Sequence, residues 1–292
     1  MDSATIPHHQ PPGLVTTLRS ELVAAVRARS SRRLLLTALG LSVGLAGLFS
    51  FAGLQQEQYA AEHVQAEGLP AAELLGFSDP TSASLRWLVI ALLPMMALGA
   101  VGCIRGHPDK IMTGRPAPRT LTTARIITVA VIALIAGQVI SLASFFVGEL
   151  ALGLIVTGSL ARAADLRAVT GGGLFLAVGG MLGFGLATLQ RAIAPAVSQL
   201  AVLAVTVAAW TGSWIGSRAL PGQAAQWLPF QVGAEITNTT PGSGAGPWTV
   251  LTVFCAYTTV TVIAGLALAA GPRRRLPARW LSNRLPRART EI

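Results

Sequence analysis

TGGGLFLAVGGMLGFGLATLQ, residues 170–190, runs for 21 positions without one Asp, Glu, Lys or Arg, between Arg167 and Arg191. A helix rises about 1.5 Å per residue, so this length reaches across the roughly 30 Å hydrocarbon core of a bilayer. With this stretch read as a membrane span, five more stretches qualify on the same ground: 34–53, 87–104, 126–147, 197–216 and 249–270, all free of formal charge. The whole chain of 292 residues is 52% hydrophobic and only 12% charged, a balance that one soluble core does not require. The expected fold is all-α: a polytopic membrane protein with six transmembrane helices, preceded by an amphipathic interfacial helix.

The charges between the spans give the expected orientation. In a soluble protein, a net charge of +10 would suggest nucleic acid as a partner. Here 18 of the 22 Lys and Arg fall before the first span, between the second and third, at Arg191, or after the sixth. Only Arg86, Arg162, Arg167 and Arg218 fall on the other side. Positive charge near span ends stays cytoplasmic, which places both termini inside, makes the number of crossings even and argues against a nucleic-acid role. The first connecting loop agrees, with Glu57, Glu62, Glu67, Glu73 and Asp79 and no Lys or Arg. The third loop, 149–169, is less decisive, and a re-entrant piece at 150–159 stays open.

The sequence divides into a flexible tail (1–12), a connecting helix (13–33), the transmembrane domain (34–270) and a basic tail (271–292). In the connecting helix Leu14, Leu18, Leu22 and Val26 recur at helical spacing, with Arg19, Glu21, Arg27 and Arg29 on other faces, a pattern suited to the headgroup layer. No cleavable signal is expected, because mostly polar and basic residues precede the first apolar run. Helices in lipid approach one another through small residues, so the four-residue pairs Gly40/Gly44 and Gly179/Gly183 mark packing faces, in this chain or toward a partner. Pro94 should kink the second span, since it removes one helical hydrogen bond.

Several chemistries lack their residues. No ionisable group lies inside a span, and His8, His9, His63 and His107 all fall in tails or loops, which disfavours an intramembrane protease or proton relay. Cys103 and Cys255 have no metal-type spacing and read as small core residues. Lys110, the only lysine, follows Asp109 and precedes Ile111, so the chain has no phosphate-binding P-loop. We expect no catalytic site, metal or cofactor in this chain.

Four segments in order carry a resemblance: LRSELVAAVRARSSRRLLL at 18–36, IRGHPDKIMTGRPAPRTLTTAR at 104–125, DLRAVTGGGLFLAVGGMLGFGLATLQRAIAPAV at 165–197 and WLPFQVGAEI at 227–236. In this order the chain resembles the six-helix membrane subunits (permeases) of type-two ABC exporters, over nearly its whole length. The resemblance implies an ATPase-coupling segment at Gly106, His107, Pro108, Asp109, Lys110, Ile111 and Met112, with the connecting helix as a second contact. The family's usual acidic and aromatic residues after the glycine are replaced here by His107 and Pro108. The resemblance further implies a separate ABC ATPase subunit that binds ATP and magnesium, a second permease subunit in a homodimer or heterodimer, and a bacterial cell membrane as the location. The cargo expected of an uncharged pathway is amphipathic or hydrophobic: a drug, antibiotic, peptide or lipid. The alternative is a non-transporting membrane scaffold or immunity protein.

Overall fold

The computed structural model describes residues 13–67, 80–104, 118–151, 162–193, 199–220, 224, 226–239 and 246–270. Among these residues there is no strand. The helices are α1 (Leu14–Arg27), α2 (Arg29–Glu67), α3 (Pro80–Leu85), α4 (Leu88–Ile104), α5 (Pro118–Ala151), α6 (Ala163–Ile193), α7 (Gln199–Ala219), α8 (Pro229–Thr237) and α9 (Pro247–Ala270). Helix is the expected choice here, because in lipid every backbone N–H and C=O must find its partner within the segment.

Among the described residues four helices are long and apolar enough to cross a membrane: Arg29–Ala52 within α2, Thr120–Ala151 within α5, Ala163–Ile193 and Pro247–Ala270. The expected second span is shorter. A turn at Arg86 and Trp87 separates it from α3, leaving the 17 residues of α4, a rise of about 25 Å. The expected fifth span corresponds to α7, with 21 residues. The chain is thus a membrane-embedded helical protein with four long apolar helices and two further helices of near-spanning length.

The quoted stretch forms the centre. In α6, 72% of the apolar window is buried inside the protein, against 22% in α2 and α9. The cause is its glycines. A Cβ on Gly183 would collide with the backbone of Met96 in α4, and one on Gly180 would lie 3.0 Å from the Cβ of Ala133 in α5. From the partners' side, a Cβ on Gly265 of α9 would stand 2.9 Å from the backbone nitrogen of Leu189. Three helices therefore touch α6 nearly backbone to backbone, which only missing side chains permit.

Large side chains fill what remains. Phe145, Phe175, Phe254, Leu92, Met95 and Met96 are fully buried, and Phe175 lies 5.5 Å from Phe254, ring centre to ring centre. Polar groups at depth bridge helices: Ser141 Oγ donates to the carbonyl of Val169 at 2.7 Å and Gln138 Nε2 to that of Thr170 at 3.2 Å. The helix of α4 continues through Pro94. Pro94 has no N–H to donate to the Ile90 carbonyl, and one residue away Trp210 Nε1 of α7 donates to Val89 O at 3.1 Å.

Packing also fixes the relative directions of the helices. Gly47 of α2 faces Val147 of α5, while Arg191, near the end of α6, donates to the carbonyl of Cys103, near the end of α4. At the other end, Arg167 of α6 donates to Asn238 beyond α8, and Ile236 lies on Gly171. One end of the bundle consequently gathers α1, the starts of α2 and α5, and the ends of α4, α6 and α9. It also holds Arg19, Arg27, Arg29, Arg32, Arg33, Arg125 and Arg191, and is called the basic end below.

Candidate functional site at the basic end

Helix α1 begins after Gly13, where Thr17 Oγ1 donates to the Gly13 carbonyl at 3.1 Å, and ends at Ala28, whose extended backbone (φ −70°, ψ 123°) breaks the chain before α2. Arg29, read from sequence as part of the connecting helix, therefore opens α2. The face that α1 turns to the protein is not its leucine stripe. Thr17 is its one buried residue, with Leu18, Glu21, Leu22 and Ala25 partly covered, while Leu14, Val15, Val23 and Val26 stay exposed. The small and polar side docks on protein, and much of the apolar side is left for lipid. Arg19, Arg27 and Arg29 are all exposed.

Docking uses one ion pair. Glu21 Oε1 lies 3.6 Å from Arg125 Nε, with the side chains 28% and 18% exposed. Both side chains are only partly exposed and Arg125 Nε makes no hydrogen bond, so the pair contributes about 1 kcal/mol. Around the pair lies a cavity of about 180 Å³ between α1, α2, α4 and α5, lined among others by Ser31, Gly102 and Thr128. Thr128 Oγ1 and Arg125 Nε are buried there without a hydrogen-bond partner. Arg125 belongs to α5, the helix that directly follows residues 105–117. In the sequence Arg125 is marked only by its charge, one residue before an apolar run.

The other sequence-based candidates are distributed as follows. Gly106, His107, Pro108, Asp109, Lys110, Ile111 and Met112 lie outside the described residues. Gly179 and Gly183 pack on Leu92 and Met96 of α4, whereas Gly40 and Gly44 have nothing within 4 Å of where a Cβ would stand. Cys103 and Cys255 are free thiols, and among the described residues no three His, Cys, Asp or Glu side chains come together as metal ligands. At the opposite end, Asp165 in the first turn of α6 is 2% exposed, with Oδ2 unpaired. In the sequence it falls in the expected third loop, 149–169.

At the basic end, an ion pair ties α1 to α5, the helix that follows residues 105–117 in the sequence. Fold and site together define a membrane-embedded helical protein with a short helix docked at one end. Compared with protein-family models, curated proteins and solved structures, the chain matches none.

Proposed function

We propose that this chain is the membrane subunit of an ATP-driven exporter, crossing a bacterial cell membrane six times with both termini in the cytoplasm. Two such subunits form the pathway for an amphipathic or hydrophobic cargo, and separate ATPase subunits, which bind ATP and magnesium, drive it. The observation that carries the reading is the Glu21–Arg125 pair. It ties the connecting helix to α5, the helix that follows the 106–112 segment in the sequence, which supports reading both as parts of one ATPase-facing end. Support also comes from the order of the segments resembling type-two exporters, the charge asymmetry of the loops and the missing P-loop.

The test is capture of a P-loop ATPase. Asp109→Cys, crosslinked in membranes of the native host, is expected to trap such a subunit, and a catalytically dead ATPase is expected to abolish export. A chain that never crosslinks to an ATPase, or whose phenotype survives loss of ATP hydrolysis, would instead be the non-transporting scaffold or immunity protein.

A further inference from the structure

A second hollow lies beside α1, on its exposed apolar side. It measures about 350 Å³, and every side chain lining it is aliphatic. Leu22 and Val26 come from α1, Leu36 and Leu39 from α2, and Ile135 and Val139 from α5. Leu36, Ile135 and Val139 are more than half exposed, so the groove opens away from the bundle. Along α5 the lining runs from residue 131 to residue 140, a rise of about 13 Å, close to half of a roughly 30 Å hydrocarbon core. That is the depth of one leaflet.

Charge marks the mouth. On a helix, residues three and four apart are neighbours on one face, so Arg33 and Arg32 stand one turn below Leu36, and both are exposed. Arg27 and Arg29 flank the break between α1 and α2 at the same end. Among the described residues of α1 and the first turn of α2, Glu21 is the only acid, and it pairs with Arg125 in the other cavity. An aliphatic slot one leaflet deep, ending under exposed arginines with no acid beside them among the described residues of α1 and the first turn of α2, fits a phospholipid with a negative headgroup.

We propose that the groove between α1, α2 and α5 is a binding site for an anionic glycerophospholipid of the leaflet at the basic end, with one acyl chain along Leu39 and Ile135 and its phosphate against Arg32 and Arg33. Because Leu22 and Val26 form one wall, the bound lipid holds α1 in its docked position, reinforcing the Glu21–Arg125 ion pair. The site does not depend on the exporter reading, since it needs only this chain and a membrane.

The experiment measures lipid carried by the purified full chain. After reconstitution into vesicles of equal parts phosphatidylglycerol and phosphatidylcholine, the protein is extracted in mild detergent, and the retained lipids are counted by native mass spectrometry. Two arginines near an anionic headgroup contribute roughly fivefold each, so wild type is expected to favour phosphatidylglycerol by about 25-fold. Arg32→Ala with Arg33→Ala should bring the preference close to one while a lipid is still retained. Ile135→Trp, at an exposed position that tolerates bulk, should fill the groove and displace both lipids, with helical content and elution unchanged. Wild type without preference, a preference that survives loss of both arginines, or full retention in Ile135→Trp would each overturn the proposal.

Discussion

Replacing Gly183 by alanine adds one methyl group and should separate two helices. The new Cβ would run into the carbonyl and Cα of Met96, and neither obstacle is a side chain that can swing aside. The contact is relieved only by moving α4 away from α6, which loosens the packing of Leu92, Met95 and Met96, all fully buried. Overpacking a tight interior costs about 1–3 kcal/mol, and with backbone on both sides the upper end applies, about 3 kcal/mol, or roughly a hundredfold in the folded-to-unfolded ratio. Gly44→Ala is the matched control. Nothing lies within 4 Å of its Cβ position, so the substitution gains helix propensity, up to about 1 kcal/mol. Detergent-titration unfolding of the monomer in mixed micelles, followed by near-UV circular dichroism, measures both. Equal losses at the two positions would refute the reasoning, because the spacing of the glycines would then matter and their neighbours would not.

Further outcomes follow from the same packing. A double-mutant cycle of Glu21→Gln and Arg125→Gln should give a coupling below about 1 kcal/mol; a coupling above twice that would mean α1 is firmly held. Ser141→Ala should cost about 0.6 kcal/mol, and no more than about 1.7, the range of interhelical hydrogen bonds in lipid, as read by the same unfolding assay. Phe175→Ala, at a fully buried ring against Phe254, should cost about 3–5 kcal/mol. Loss of under about 1 kcal/mol there would place Phe175 outside the core.

The apolar runs were readable as helices because charge is excluded from lipid, and α2, α5, α6 and α9 contain the expected segments. What apolarity could not show is which helix lies innermost. In water a buried face is apolar and an exposed one polar, but in a bilayer both are apolar, so the periodicity that marks a core disappears. Glycine spacing carries part of the missing signal, as at Gly179 and Gly183, yet the same spacing at Gly40 and Gly44 leads to an open face. The connecting helix misled in another way. Thr17, off its leucine stripe, is its one buried residue and Glu21 makes its ion pair, while of the stripe only Leu18 and Leu22 are partly covered. Asp165 stayed hidden because its burial depends on helices distant in sequence, and the sequence places it in a loop.

The break at Ala28 has a mechanical consequence. Helix α1 has 14 residues, a length of about 21 Å, and a single extended residue joins it to α2 and would serve as its pivot. A change of 10° at that pivot displaces the far end by about 4 Å, while α2 need not move. Whatever grips the outer turns of α1 therefore works with a favourable gear ratio against the Glu21–Arg125 pair near mid-arm: large travel at the tip, small travel where the arm meets α5.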